Sequence, residues 1–313
     1  MFKCPLGKTG ADVSILGYGA MALSIPGKPE DESLRVIQEV IDAGVTFFDT
    51  ADTYCRDPDE LHHNERLLAK ALNHEQKADN PIVIATKGGT VRTPRGWEVD
   101  GHPDFLYRAI RQSYEALGGQ DPIPLWQHHW PDPRYSIRDM MGAVKRAVGD
   151  GLVKWVGVGN YSIEQIKEAR EVLEVVSVQN QFNFWRREAE HEGIIRYCEQ
   201  EDLVFLPWRP MGGFGLAQKL REIEPLAKLA RKHEVSPQRI VIAWQLSKSK
   251  AMLPIPGSSQ LENILDCLAA ADLRLEEQEL RILDLITEKD LPQRARPAAW
   301  RQMPPLTATS PSG

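Results

Sequence analysis

The chain has 313 residues, and its 44 acidic residues outnumber its 38 lysines and arginines, which gives a formal net charge of −6. This acidic balance argues against a nucleic-acid partner, because proteins that bind nucleic acids need an excess of basic residues. No apolar run reaches the roughly 18 residues of a membrane span, and the N-terminal sequence has no signal-peptide pattern, so we expect no membrane partner.

The four cysteines are far apart in the sequence and form no CxxC pair. This spacing predicts free, reduced thiols and a cytoplasmic location, with neither a disulfide framework nor a metal site. Length alone allows one or two domains. Composition therefore excludes several classes of protein but selects no activity.

Short apolar runs recur along the chain and predict buried parallel strands. Continuous apolar stretches without alternation are typical of strands that are covered on both faces. The eight runs are Val13–Gly19, Thr46–Ala51, Ile82–Lys87, Leu125–Trp130, Lys154–Asn160, Val175–Phe182, Leu203–Trp208 and Met252–Gly257.

The segments between these runs carry the signals of helix ends. Asp31–Ala43 begins with acidic residues and is followed by Gly44, which can adopt the left-handed conformation that ends a helix. Ser136, Ser162 and Ser236 are typical N-cap residues. Further helices are predicted at Asn64–Asn73, Pro103–Leu117, Arg187–Gln200, Glu222–His233, Gln260–Ala270 and Glu276–Ile286.

This strict alternation of strand and helix predicts an α/β fold with a parallel sheet and right-handed crossovers. Eight units favour a closed (β/α)8 TIM barrel, formed by residues 1–289 as a single domain, over an open doubly wound sheet. Residues 290–313 contain five prolines and no periodic apolar face. This C-terminal tail is either a strap over the barrel mouth or a loose terminus.

Polar side chains fall at the C-terminal ends of the predicted strands, where the active sites of such barrels lie. Asp49 and Tyr54 follow the second strand, Lys87 the third and His129 the fourth. An ammonium beside a tyrosine favours the phenolate and lowers the tyrosine pKa, while a carboxylate holds the lysine charged. A neutral imidazole can donate a hydrogen bond to a substrate oxygen. This set predicts proton transfer to a polar bond.

A series of motifs in chain order resembles the aldo-keto reductase family, and the resemblance spans residues 9–286. The motifs are Phe47–Tyr54 with Asn64-Glu65 downstream, Thr86–Gly88, Gln127–Pro133, Val156–Ser162, Val178–Asn180, Pro207–Gly212 and Ile255–Ser259. Each motif is short, so the order of the whole series carries the resemblance.

The resemblance implies NADPH-dependent reduction of an aldehyde or ketone to the alcohol, without a metal. It makes Tyr54 the general acid, Lys87 the partner that lowers the tyrosine pKa, and Asp49 the carboxylate that pairs with Lys87. His129 stands directly before Trp-Pro, as the family's substrate-orienting histidine does, so His129 takes this role and His128 does not.

The resemblance also implies where the substrate and the cofactor bind. Tyr54, His129 and Trp130 would contact the substrate. Asn160 and Gln179 match positions that hold the nicotinamide carboxamide, and Trp208 matches an aromatic position, usually tyrosine, on which the nicotinamide ring stacks. The other implied cofactor-binding residues are Gly19, Ala20, Met21, Asp49, Arg209, Pro210, Met211, Gly257, Ser258, Ser259 and Asn263.

Three positions depart from the family pattern. Gly159 stands where many members have serine, which removes one hydrogen bond to the carboxamide. Asn263 falls where many NADP-preferring members carry arginine, and Cys267 where an asparagine often meets the adenine. NADPH is therefore the expected cofactor, and NADH is a second candidate.

Other interpretations of the same residues are weaker. Gly17–Ala22 matches a dinucleotide-binding pattern, but no helix opens directly after it. Two His-His pairs suggest a metal site, yet adjacent residues on a strand point to opposite faces. Asp52 is a rival to Asp49 as the carboxylate, but it lies later in the loop. Trp97 and Trp300 are further candidates for the substrate pocket.

The sequence thus favours an enzyme over a catalytically weak regulatory subunit that senses the nicotinamide cofactor, because all four reacting residues are present. The expected partner is a small-molecule carbonyl substrate, and the sequence does not identify which aldehyde or ketone it is. We see no long exposed apolar stripe, so a monomer is the expected state.

Overall fold

The structure is a computed structural model, and it describes residues 1–72, 82–93, 96–213 and 215–291. Asn73, Trp300 and the predicted tail from residue 292 onward lie outside the described residues. In this part of the chain, no helix has the length and apolar character needed to cross a bilayer.

In the described part of the chain, the strands are short and lie between residues 3 and 205. They are Lys3–Pro5 (β1), Asp12–Ser14 (β2), Tyr18–Gly19 (β3), Phe47–Asp49 (β4), Val83–Gly88 (β5), Thr90–Thr93 (β6), Gly96–Val99 (β7), Ile123–His128 (β8), Val153–Gly159 (β9), Ser177–Gln179 (β10) and Val204–Phe205 (β11).

The first seven α-helices lie between the strands, and the other four described helices follow β11. The helices are Glu30–Asp42 (α1), His63–Leu72 (α2), Pro103–Ala116 (α3), Ile137–Gly149 (α4), Ile163–Val172 (α5), Glu188–His191 (α6), Ile194–Gln200 (α7), Glu224–Lys232 (α8), Pro237–Leu246 (α9), Leu261–Leu268 (α10) and Glu277–Asp284 (α11).

Seven of the strands form one parallel sheet in the order β3-β4-β5-β8-β9-β10-β11. The eighth predicted run closes this sheet into the expected (β/α)8 barrel. The Leu253 N–H donates to the carbonyl of Phe205 in β11, while the carbonyls of Pro254 and Pro256 accept from Gly17 and Gly19 beside β3. Because proline has no N–H to donate, this last segment is hydrogen-bonded without forming a regular strand.

The first predicted strand is wrong in its bounds. The run Val13–Gly19 is divided between two sheets: Asp12–Ser14 pairs antiparallel with Lys3–Pro5, and only Tyr18–Gly19 enters the barrel. The reason is that the hairpin of β1 and β2 closes the N-terminal end of the barrel, where Leu6 and Val13 are completely buried. The hairpin, together with Leu6 directly after β1, forms what we call the N-terminal plug. In the sequence, an apolar run that continues from this plug into the barrel wall resembles one long strand.

Several predicted helix ends are confirmed. Gly44 follows α1 with a φ of 88°. The Ser162 and Gln165 side chains form the capping box of α5, while the side chains of Ser136 and Ser236 cap α4 and α9. The predicted helix Arg187–Gln200 is divided into α6 and α7 at Gly193, which is left-handed with a φ of 81°.

Side chains that alternate along the strands make two apolar layers. Phe48 and Ile84 pack outward against the helices. Phe47 and Val83 pack inside the barrel with Leu6 of the N-terminal plug. The barrel is therefore filled below its C-terminal mouth, and only the mouth is left for polar chemistry.

Candidate active site at the barrel mouth

The four residues predicted to react meet at the C-terminal mouth of the barrel. β4, β5 and β8 are neighbours in the sheet, so their carboxyl ends place Asp49, Lys87 and His129 side by side. Tyr54 reaches the same point from the loop after β4, with its side chain almost fully buried.

Lys87 is the centre of this group and is fully buried. Its Nζ donates to Asp49 Oδ2 at 2.8 Å, to the Thr50 carbonyl at 2.7 Å and to Tyr54 Oη at 3.3 Å. Three acceptors match the three protons of an ammonium. Gln179 donates its amide N–H to the other oxygen of Asp49 at 2.8 Å, so both carboxylate oxygens are occupied.

The electrostatics of this group keep the lysine charged and the tyrosine protonated. Burial lowers the pKa of Lys87, but the charge of Asp49 and the Tyr54 hydroxyl raise it more, so the pKa lies above its ordinary value. Burial raises the pKa of Tyr54, and the Lys87 ammonium opposes this only in part. The net direction differs from the sequence expectation, because burial of the phenol outweighs the neighbouring charge.

His129 lies beside Tyr54, with the two ring centroids 6.1 Å apart in an edge-to-face arrangement. Burial and the nearby charge of Lys87 hold the pKa of His129 well below its ordinary value, so the imidazole is neutral at neutral pH. Its Nδ1 lies 3.2 Å from Thr90 Oγ1. If the Thr90 hydroxyl donates here, the ring carries its proton on Nε2, which is then the donor for a ligand.

His128 points away from this site, as expected for adjacent strand residues. Its Nδ1 is 2.7 Å from the Tyr161 hydroxyl, and its ring stacks on Trp126. Burial lowers the pKa of His128 to about 4. Of the two histidines, only His129 lies next to Tyr54.

A two-stranded ribbon formed by β6 and β7 follows β5 and lies beside the mouth. Its Trp97 side chain is 39% exposed and contacts both Tyr54 and His129, with ring centroids 6.2 and 6.4 Å away. Trp130, which directly follows His129 in the sequence, contacts Trp208, and the two ring centroids are 6.4 Å apart. Aromatic rings therefore border the place where a substrate would meet Tyr54.

The predicted carboxamide-binding residue Asn160 is fixed in the left-handed region with a φ of 62°. Its amide Nδ2 donates to the carbonyl of His129 at 2.9 Å, and its Oδ1 accepts from Trp208 Nε1 at 2.9 Å. Asn160 thus connects the end of β8 to the loop after β11. A tyrosine in place of Trp208 would have no indole N–H to make this second bond.

The first and last barrel segments approach each other closely at Gly19 and Gly257. A Cβ on Gly257 would lie 2.3 Å from the Gly19 carbonyl oxygen. Tyr18 Oη donates to the carbonyl of Ser258 at 2.8 Å and holds the segment that leads into α10. The first turn of α10 has no side-chain cap, so its backbone N–H groups are available to an anion.

The remaining predicted cofactor-binding residues differ in their exposure to solvent. Arg209 is exposed, and its guanidinium lies over the Trp208 ring at 5.3 Å. Asn263 is exposed and donates to Gln260 Oε1 at 3.1 Å. Among the others, Met21, Met211, Ser258 and Ser259 are half-buried, whereas Ala20 and Pro210 are buried.

Ala20 and Cys267 present their side chains to the core and not to the mouth. Both belong to the apolar layer between the sheet and the helices. Burial raises the pKa of the Cys267 thiol to about 12. The position that often meets the adenine in the family is therefore an apolar packing position in this chain.

Asp52, the rival to Asp49, donates its backbone N–H to the Lys87 carbonyl at 3.0 Å, but its carboxylate is not among the partners of the Lys87 ammonium. It is 5% exposed, and within the described residues its Oδ1 has no hydrogen-bond partner. Burial, together with the charge of Glu65, raises its pKa to about 7. His62 Nδ1 lies 2.5 Å from Glu65 Oε2, and no group of three potential metal ligands comes together in the part of the chain that is described.

Sequence reasoning did not find Thr90 or the Thr50 carbonyl. Thr50 stands in the Phe47–Tyr54 motif, but a backbone acceptor carries no side-chain signal. Thr90 lies in the ribbon, which interrupts the strand-helix alternation, and a lone threonine is not distinctive. Its place three residues after Lys87, just beyond the C-terminal end of β5, was the available signal.

The chain matches a protein-family model over most of its length. The model of the Aldo/keto reductase family matches residues 15–288. An uncharacterized oxidoreductase of Schizosaccharomyces pombe is 34% identical over 278 residues, which cover 87% of this chain and 86% of that protein. The protein named Probable aldo-keto reductase 1 of Glycine max is 29% identical, over 88% and 86% of the two chains.

Solved structures show the same fold. A thermostable aldo-keto reductase in complex with the inhibitor epalrestat superposes with a TM-score of 0.76 and 25% identity, covering 91% of this chain and 99% of its own. The glycerol dehydrogenase of Gluconobacter oxydans gives a TM-score of 0.76 at 22% identity, over 91% and 94% of the chains. The chain therefore belongs to the aldo/keto reductase family of oxidoreductases.

Proposed function

We propose that the protein reduces an aldehyde or ketone to the alcohol with NADPH, and that Tyr54 supplies the proton. The observation that carries this proposal is the arrangement around Lys87. One ammonium contacts a carboxylate and a protonated phenol, and the phenol lies beside a neutral imidazole at the open end of the barrel.

Each residue has a distinct part in the proton transfer. The Nε2–H of His129 donates to the substrate carbonyl oxygen and turns it toward Tyr54. Tyr54 then gives its proton to the same oxygen. The ammonium of Lys87, 3.3 Å from the hydroxyl, stabilises the phenolate that remains, and Asp49 keeps that ammonium charged and in place.

The mouth fits a nicotinamide dinucleotide on the side away from the ribbon. Asn160, Gln179 and Trp208 would hold the nicotinamide, and the uncapped start of α10 and the guanidinium of Arg209 would hold the phosphates. Arg209 has no carboxylate partner within the described ranges, so its charge is available to an anion. When bound, this cofactor supplies the hydride that the carbonyl carbon accepts.

NADPH is the proposed cofactor, with NADH as the second. The 2′-phosphate would contact Ser258, Ser259 and the first N–H groups of α10, since Asn263 supplies no charge. A helix N-terminus and hydroxyls bind a phosphate less strongly than an arginine fork does. We therefore propose only a modest preference for NADPH over NADH.

A substrate panel tests the proposed function. Aldehydes and ketones of different size and charge are supplied with NADPH and, in parallel, with NADH, and cofactor oxidation is followed by absorbance. We expect carbonyl-dependent oxidation of NADPH that is faster than oxidation of NADH. Tight binding of NADPH without any turnover over the whole panel would contradict an enzyme and would instead support the cofactor-sensing subunit.

A further inference from the structure

The ribbon of β6 and β7 turns one particular face toward the catalytic residues. In this antiparallel pair, Thr90 is opposite Val99 and Arg92 is opposite Trp97. Residues two apart on a strand, and residues directly opposite each other, share a face of the ribbon. Thr90 contacts His129, and Trp97 contacts Tyr54. Arg92 therefore belongs to the face that is turned toward the site.

The Arg92 guanidinium lies over the Trp97 ring, with 4.6 Å between its Cζ and the ring centroid. Burial raises the pKa of the neighbouring Cys55 thiol, and the positive charge of Arg92 opposes that rise. Trp97 also contacts Tyr54, so the guanidinium and the catalytic tyrosine are neighbours of the same indole ring.

Arg92 has no acceptor for its charge within the described residues. Its Nε is buried without a hydrogen-bond partner, and no carboxylate pairs with it there. Arg134 and Arg239, in contrast, each bind the carboxylate of an aspartate. A buried donor that lacks an acceptor destabilises a protein unless a ligand supplies one.

We propose that Arg92 is a specificity-determining residue that binds an anionic group, a carboxylate or a phosphate, on the substrate. This inference rests on the proposed function, because it takes the substrate carbonyl to lie between Tyr54 and His129. Trp97 connects the two places, because its ring contacts both Tyr54 and the guanidinium of Arg92.

The chemistry of the side chain favours this ligand class. A guanidinium presents its N–H donors in a planar fork that matches the two oxygens of a carboxylate or phosphate. The ribbon follows β5, whereas the proposed nicotinamide-binding residues follow β9, β10 and β11. The anion that Arg92 would bind therefore belongs to the substrate and not to the cofactor.

The test compares matched pairs of aldehydes that differ only in charge. One pair is para-carboxybenzaldehyde and its methyl ester, and the other is glyceraldehyde phosphate and glyceraldehyde. The two pairs distinguish a carboxylate site from a phosphate site. The variant is Arg92→Met, which keeps the length of the side chain, and the control is Arg111→Met on the exposed face of α3.

We expect Arg92→Met to lower kcat/KM for the preferred anionic aldehyde by about 10- to 100-fold, mainly through KM. Its kcat/KM for the uncharged partner should change less than about twofold, and Arg111→Met should behave as the wild type does. An equal loss for the charged and uncharged members of both pairs, or no loss for either, would overturn the proposal.

A binding measurement separates this inference from the proposed function. Calorimetric titration of each anionic aldehyde into the protein with oxidised cofactor needs no turnover. If the wild type reduces no aldehyde but still binds an anionic one in a way that Arg92→Met abolishes, the proposed reaction fails and the anion site stands. If the wild type reduces aldehydes but Arg92→Met changes neither their binding nor KM, the proposed function stands and the anion site fails.

Discussion

Thr90 shows how one hydroxyl can set the chemistry of a neighbouring ring. The Nε2 of His129 can donate to a substrate oxygen only if it carries the proton, and a hydrogen bond accepted by Nδ1 favours that tautomer. Thr90 Oγ1 is 3.2 Å from that nitrogen and also 3.2 Å from Thr53 Oγ1. The Thr53 hydroxyl can donate to Thr90 Oγ1 and so orient the hydroxyl proton of Thr90 toward the His129 ring.

Replacement of Thr90 tests this tautomer assignment. Thr90→Val keeps the shape but removes the donor, so we expect kcat/KM for an uncharged aldehyde to fall about fivefold to tenfold with unchanged cofactor affinity. Thr90→Ser keeps the hydroxyl and should restore most of the activity. Equal activity of the valine variant and the wild type in steady-state assays would show that Thr90 does not position His129.

The pH dependence of reduction follows from the two shifted residues. The pKa of His129 is well below 6.5, so the ring stays neutral as the pH falls through that value. The pKa of Tyr54 lies above 10.0, so the proton to be donated is present at neutral pH and is lost only in strong base.

We therefore expect kcat/KM for an uncharged aldehyde to be constant from pH 6.5 to pH 10 and to fall only above this range. Initial rates in buffers of constant ionic strength measure this profile. A loss of activity on acidification through pH 6.5 would indicate a histidine that becomes charged, and the assignment of a neutral His129 would then be wrong.

At this scale, sequence reasoning succeeded where a residue ends a barrel strand. The strand ends brought Asp49, Lys87 and His129 together as expected. It could not find the partners that depend on the ribbon, such as Thr90 and Arg92, because no periodicity or spacing distinguishes a short antiparallel insert from a loop. It also gave the wrong net direction for the Tyr54 pKa, because the depth of burial is a property of the fold.

At the scale of elements, the close contact between β8 and β9 accounts for the glycine at position 159 of this chain. A Cβ on Gly159 would lie 2.7 Å from the carbonyl oxygen of His129 and 3.2 Å from that of His128. Backbone atoms at such distances must shift. The carbonyl of His129 also accepts from Asn160, so any shift would move two site residues together.

We expect Gly159→Ala to destabilise the protein by about 1–3 kcal/mol and to lower kcat/KM. Urea unfolding and steady-state rates measure the two effects. Gly142→Ala is a matched control, because a Cβ at that position meets no atom within 4 Å. A Gly159→Ala variant as stable and as active as this control would show that β8 and β9 have room for the side chain.

Strand and helix patterns predicted most elements and several helix ends, but not every boundary. Apolar runs located β4, β5, β8, β9 and β10 because parallel strands covered on both faces show an uninterrupted signal. The first run failed, since Val13 belongs to the N-terminal hairpin and Tyr18 to the barrel. The helix at residues 187–200 was divided by Gly193, and a glycine inside an otherwise helical pattern does not reveal its φ in advance.

At the scale of the whole molecule, the barrel is closed at one end by apolar packing and open at the other. The hairpin of β1 and β2 places Leu6 against Phe47 and Val83 inside the barrel. All three side chains are at most 2% exposed. The stability of the fold and the chemistry of the mouth are therefore located at opposite ends of the same strands, as in barrels generally.

This separation predicts that the plug can be weakened without loss of chemistry. Leu6→Ala should lower the free energy of unfolding by about 2–5 kcal/mol, while kcat of the folded enzyme changes little. Leu285→Ala is the control, since Leu285 is 78% exposed. Urea unfolding and steady-state rates at low temperature measure both properties. A large loss of kcat in Leu6→Ala would show that the two ends of the barrel are coupled.

The most direct test of the account is aldehyde reduction by Tyr54→Phe, with Tyr107→Phe as the control. Tyr107 lies on the surface, where its hydroxyl donates to Asp150 at 2.7 Å. We expect Tyr54→Phe to lower kcat by about 10²- to 10⁴-fold while NADPH binding stays near that of the wild type, and we expect the control to be unaffected. Undiminished turnover by Tyr54→Phe would contradict the assignment of Tyr54 as the proton donor.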